Sequence, residues 1–200
     1  MPETIWTIGH SNHAVEAFVA LLQTHGIGAV ADVRSAPYSR YNPQFDRETL
    51  KESLRLAGME YVFLGKELGA RSDDAACYLH GKVQYGALAA TELFQEGLQR
   101  VRQGAERFRV ALMCAEKEPF ECHRSILVGR HLVKAGCEVR HILADGGTES
   151  QAEMMERLMA EMRMDAANLF LTAEDLMEDA YARQEARIAF DGSAAATSAA

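Results

Sequence analysis

No stretch of this chain approaches the roughly 20 consecutive apolar residues that cross a bilayer. Its start, MPETIW, lacks a basic segment followed by an apolar core, so no secretory leader is expected there. Positive charge is also scarce: 21 Lys and Arg stand against 29 Asp and Glu, for a net charge of -8 with His neutral. Such a field opposes binding to bulk nucleic acid or to an anionic membrane surface, though it leaves room for a local basic cleft. Cysteine is sparse, at Cys77, Cys114, Cys122 and Cys137. In the cytoplasmic location expected here these thiols stay reduced, so a special role for any of them is catalytic or metal-binding rather than a disulfide.

Several phosphate-binding and nucleophile motifs are missing as well. There is no G-x-G-x-x-G and no G-x-x-x-x-G-K-[ST], which argues against a dinucleotide fold of the Rossmann type and against a P-loop NTPase. There is no G-x-S-x-G elbow. A cysteine-phosphatase or rhodanese-type loop needs an Arg shortly after its Cys, but Phe120 stands six positions after Cys114, and Arg124 lies too far along.

What is present is ordinary for a globular domain: 200 residues, 48% hydrophobic and 25% charged, enough to bury a core without staples. Short β-rich runs alternate with segments of helical period. Strands are expected near Thr4 to Ile8, Ala29 to Val33, Tyr61 to Leu64, Val110 to Met113 and Val139 to Leu143. Between them, Phe18 and Leu22, Leu50 and Leu54, Phe94 and Leu98, and Ile126, Leu127 and Leu132 mark helical stripes. Ser11 and Asn12 read as helix caps, Gly86 to Gln103 as one long helix, and Gly65 to Val83 as a loop. The pattern predicts an α/β fold: a mainly parallel five-stranded sheet with helices on both faces, plus C-terminal helices. It divides into an α/β domain over residues 1–148, a helical extension over 149–190, and a disordered tail over 191–200. Met154, Met155, Leu158, Met159 and Met162 share one side of the extension. Such a stripe is core packing first, and a surface for a partner or a homodimer second.

Ligands of open α/β sheets bind beyond the carboxyl ends of the strands. That rule gathers His10 and Ser11, Asp32 and Arg34, Arg71, Cys114 and Glu116, and Cys122, His123 and Arg124 at one edge. His10 reads as a hydrogen-bonding residue or a general base, its ordinary pKa being near 6.5. Asp32 and Arg34, two apart on a strand, face the same way and make either an ion pair or an orienting acid beside an anion-binding cation. Tyr38, Tyr41 and Phe45 can stack on a base. Seven residues separate Cys114 from Cys122, wider than the usual spacing of a zinc cysteine pair. These cysteines are therefore open to three readings: a reactive thiol, a metal pair closed by the loop, or packing. Cys122, at a helix start beside Arg124, has the setting that favours a thiolate near neutral pH. No metal ligand set and no cofactor is assigned.

Five pieces in order carry a family resemblance: T-I-G-H-S from Thr7, D-V-R from Asp32, P-Y-S from Pro37, Y-V-F-L-G-K-E-L-G from Tyr61, and M-C-A-E-K-E-P-F-E-C-H-R-S from Met113. Over roughly Thr4 to Leu143 the chain resembles the bacterial domain-of-unknown-function family 488. The resemblance implies a fold and a site, not a reaction. The leading expectation is an enzyme acting on a small anionic or nucleotide-like substrate. His10, Asp32, Cys114, Glu116, Cys122 and His123 are its candidate catalytic residues; Ser11, Arg34, Tyr38, Arg71 and Arg124 are its candidate substrate contacts. The alternatives are a non-catalytic module for a nucleotide or nucleic-acid end, and an interaction protein using the Met-rich helices.

Overall fold

The structure, a computed structural model, describes residues 3–164 and 172–192. The residues 193–200 of the expected tail lie outside the described part. In chain order the elements are β1 (Thr4–Gly9), α1 (Val15–Thr24), β2 (Ala29–Asp32), α2 (Arg47–Leu56), β3 (Glu60–Phe63), α3 (Gly65–Leu68), β4 (Tyr78–Leu79), β5 (Lys82–Val83), α4 (Tyr85–Ala89), α5 (Glu92–Ala105), β6 (Val110–Cys114), α6 (Arg130–Lys134), β7 (Glu138–Ile142), β8 (Thr148–Ser150), α7 (Gln151–Glu161) and α8 (Ala173–Ile188). A wide π turn, Arg124–Gly129, leads into α6.

The main sheet has the order β3-β2-β6-β1-β7-β8. Its first five strands pair in parallel, and β8 closes the edge antiparallel to β7. The sheet thus has six strands rather than the five expected. The sixth, Thr148–Ser150, is three polar residues long, so it has no apolar run by which to be seen. β4 and β5 form a separate hairpin within the segment expected to be a loop.

Side-chain alternation along the buried strands splits the core in two. Ile8, Val30, Ala111, Met113 and Ile142 meet Phe18 and Leu22 of α1 and Leu50 and Leu54 of α2 on one face. Ile5, Ala31, Leu112, Cys114 and Val139 meet Phe94 and Leu98 of α5, Leu132 of α6 and the C-terminal helices on the other. Met154, Met155 and Leu158 of α7 are buried in this second cluster, so the inner part of the Met stripe is spent on the chain's own core. The long helix expected from Gly86 to Gln103 is two helices. Thr91 interrupts it, its hydroxyl accepting from Phe94 N at the start of α5, because a short polar side chain satisfies the free N–H groups of a helix start. Ser11 and Asn12 form a turn rather than caps; Ala14 precedes α1 without a side-chain cap.

This topology creates the site. From β1 the chain turns through α1 towards β2, whereas from β6 it turns through α6 towards β7, on the opposite face. The strand order reverses between two adjacent strands, and a crevice opens beyond their carboxyl ends.

Candidate functional site

Past β1 the ladder continues two steps, with His10 N donating to Cys114 O at 2.8 Å and Ser11 N to Ala115 O at 2.9 Å. The loop after β6 therefore lies against the loop after β1. The approach is so close that a Cβ on Gly9 would stand 1.9 Å from Glu116 O; only glycine fits. Ser11 is left-handed at φ 48°, a strained state for a residue with a side chain and one that clusters at functional sites.

His10 is buried and stacked on Phe45, ring centroids 4.3 Å apart. Its Nδ1 faces Ser11 O at 2.8 Å; a carbonyl only accepts, so Nδ1 carries the proton. Nε2 then accepts from Arg34 Nη1 at 3.3 Å. Burial above all, then the Arg34 charge, takes the His10 pKa down to about 4. The imidazole is therefore neutral at pH 7, its pKa held below the ordinary value near 6.5. Asp32 accepts from Arg34 Nε at 2.9 Å, from Nη2 at 2.7 Å and from the Tyr61 hydroxyl at 2.8 Å. Arg34 Nη2 also donates to Phe45 O at 2.8 Å. The pair is thus a closed, neutral bracket that fixes the loop after β2.

The second group is built on β6 and the π turn. Cys122 is extended, and its carbonyl accepts from Ser125 N and Ile126 N, so it is the residue that caps the turn. Its Sγ accepts from Arg124 N at 3.4 Å and lies 3.0 Å from Glu116 Oε2. His123 Nε2 faces Val33 O at 2.9 Å and therefore carries a proton. Its Nδ1 is left towards Cys114 Sγ at 3.7 Å and Cys122 Sγ at 3.9 Å. Among the described residues, Cys114, Cys122 and His123 are the one buried set whose ligand atoms all lie within 4.8 Å of one another and can hold a metal ion.

Arg124 is fully buried and runs beneath this group. Its Nη1 donates to Glu116 O at 2.7 Å, Nη2 to Lys117 O at 3.2 Å and Nε to Thr7 Oγ1 at 3.4 Å. Burial pushes the Cys114 thiol well up. At Cys122 burial is outweighed by the hydrogen bond with Cys114, the Arg124 charge and His123, which together hold this thiol well below its usual range. Burial, then the neighbouring Cys122, raises the Glu116 carboxyl. The Cys122 side chain is nonetheless only 1% exposed, a shielded thiol at the cavity wall.

A cavity of 470 Å³ lies above, and its lining includes His10, Ser11, Arg34, Tyr38, Arg71, Cys114, Glu116, Cys122 and His123. Two residues singled out in the sequence sit elsewhere: Asp32 and Arg124 do not line the cavity but hold, from beneath, the residues that do. Of the expected stacking set, Tyr38 stands at the rim, 71% exposed, whereas Phe45 is buried under His10. Sequence reasoning missed Tyr85 and Phe190, which also line the cavity. Tyr85 opens a helix with no motif around it. Phe190 arrives from the far end of the chain, where the Arg71 guanidinium packs 4.0 Å over its ring.

Fold and site together define an α/β protein with a cysteine–histidine cleft at the topological switch of its sheet. The family model described as domain of unknown function DUF488 matches residues 14–131, more than half of the chain, and the chain belongs to that family. No curated protein matches it. A crystal structure from Shewanella putrefaciens CN-32, named as a candidate phosphatase (DUF442), is similar at 12% identity with a TM-score of 0.41, covering 95% of this chain and 91% of that one. No helix among the described residues is long and apolar enough to cross a membrane.

Proposed function

We propose that the protein is an enzyme acting on a small anionic, nucleotide-sized substrate held in the cleft. One observation carries this reading: two thiols, an imidazole and a carboxyl group, linked to one another, border a single cavity of 470 Å³. That volume lies within the range of pockets that enclose a small ligand, about 300–1,000 Å³. Buried polar groups of this kind are costly, and a cluster with shifted pKa values in a cleft is the usual mark of a reactive site. The Arg71 side chain supplies positive charge at the wall, since Arg34 is neutralised by Asp32. Tyr38, exposed at the rim, supplies a ring for stacking.

Thermal shift with inorganic phosphate, nucleoside monophosphates and small dicarboxylates tests the reading. A member of the panel stabilises the chain, by about 2.7 kcal/mol at a hundred times its Kd. The shift shrinks in Arg71→Ala or Tyr38→Ala, both surface substitutions. NMR then follows consumption of that ligand. A shift without turnover makes the protein a binding module; no shift with any member of the panel contradicts the reading.

A further inference from the structure

We propose that Cys114, Cys122 and His123 form a zinc site that opens on the cavity, its remaining coordination position taken by water or by an anionic oxygen of the substrate. The inference rests on the cleft being the functional site and names its cofactor. The argument is geometric. Zinc binds thiolate sulfur at about 2.3 Å and imidazole nitrogen at about 2.0–2.1 Å in a tetrahedron, which sets sulfur and nitrogen about 3.6 Å apart. The two sulfurs stand 3.7 and 3.9 Å from His123 Nδ1, close to the edges of such a tetrahedron. The three ligand atoms also fall within 4.8 Å of one another without any movement of the chain.

The tautomer fits. Val33 O fixes the proton on His123 Nε2 at 2.9 Å, leaving the Nδ1 lone pair towards the sulfurs. An outer-shell carbonyl that orients an imidazole in this way is the common companion of a metal-bound histidine. Charge fits as well. Two thiolates offset the dication, and the buried guanidinium of Arg124 donates to Glu116 O in the loop between them. Two soft sulfurs and one imidazole select zinc over magnesium or calcium.

Access fits a catalytic site better than a structural one. Structural zinc is closed by four protein ligands, whereas catalytic zinc keeps three and an open position. Here the set has three members, and all three line the cavity. Loop closure explains the unusual spacing. Cys114 ends β6, and Cys122 returns at the head of the π turn because Arg124 clamps the Glu116 and Lys117 carbonyls between them.

The full, untagged chain is purified from zinc-supplemented medium and its metal content measured by mass spectrometry, then the zinc is exchanged for cobalt. The expected result is one zinc per chain, and a cobalt form with thiolate-to-cobalt charge-transfer absorption and the intense visible bands of a tetrahedral centre. Cys114→Ser, Cys122→Ser and His123→Ala each weaken zinc binding by more than about tenfold, while Cys137→Ser leaves it unchanged. The cobalt spectrum is read on the unsubstituted chain, so it decides the matter even where a variant fails to fold. Absence of zinc together with absence of thiolate bands overturns the site, as does a stoichiometric metal of another kind. Zinc that persists in all three variants overturns the ligand assignment. Ligand-induced stabilisation of the metal-free chain is scored separately, so loss of the zinc site and loss of the proposed function are told apart.

Discussion

Replacing Arg124 tests whether the site is held from below. Its side chain is among the largest fully buried in the protein and spends its donors on Glu116 O, Lys117 O and Thr7 Oγ1. Arg124→Ala removes two charge-assisted bonds to backbone carbonyls, leaves those carbonyls facing a void, and opens a cavity under the sheet edge. Two carbonyls left without their donors cost about 1–3 kcal/mol each, and the cavity adds to that. In a chain of this size each kcal/mol lowers Tm by about 2–4 °C, so a loss of about 4 kcal/mol lowers it by about 8–16 °C. Arg124→Met keeps most of the volume and loses only the bonds, so about 2 kcal/mol is expected. Arg124→Lys keeps the charge but cannot reproduce the fork that reaches two carbonyls, and should resemble the Met variant. Urea unfolding of the three variants, followed by circular dichroism, gives the comparison. If Ala and Met both cost less than about 1 kcal/mol, the clamp is not what orders the loop between Cys114 and Cys122. If Ala and Met cost the same, packing rather than bonding is absent from the balance, and the division of the cost is wrong.

Acid should destabilise the chain early. Burial takes His10 and His141 down to about 4 and about 3, whereas the unfolded chain protonates both near 6.5. The stabilisation from keeping them neutral is whole above pH 6.5 and lost as pH falls towards those folded values, on the order of 3 kcal/mol for His10 alone; urea midpoints that do not move between pH 7 and 5 would contradict it. Gly9→Ala forces its new Cβ against Glu116 O, 1.9 Å away, and should cost about 1–3 kcal/mol, with amide shifts centred on Ala115 and Glu116; a cost within about 0.5 kcal/mol refutes the close approach. Ser150→Ala breaks the reciprocal cap with Glu153 at the start of α7 and should cost about 1 kcal/mol. Equal unfolding midpoints for that variant and the parent chain would show that α7 is set by its Met-lined face alone.

The parallel sheet and its two helical faces were legible because strand and helix periods differ and because Gly and Pro punctuate them. The edge strand β8 and the hairpin of β4 and β5 were not, since each is two or three residues long and made by pairing rather than by burial. At the site, the gathering of His10, Arg34, Cys114 and Cys122 followed from one topological rule. Their environments did not. That His10 is stacked and neutral depends on Phe45, 35 positions along the chain but 4.3 Å away by ring centroid. That Cys114 and Cys122 converge depends on a loop clamped from below by Arg124, whereas the bare spacing leaves thiol, metal and packing readings open. Tyr85 and Phe190 carry no motif; only packing puts them at the cavity.

The central claim is that a small anionic ligand binds and reacts in the cavity at the switch between β1 and β6. The direct measurement is backbone NMR of the chain titrated with the ligand that stabilises it. The amides of His10, Ser11, Ser35, Arg71, Ala115 and Glu116 should shift together with one saturating Kd, and Arg71→Ala should raise that Kd. Shifts that cluster instead in the separate groove lined by Tyr61, Val62, Leu64, Arg100 and Val101, or that never saturate, would contradict the account.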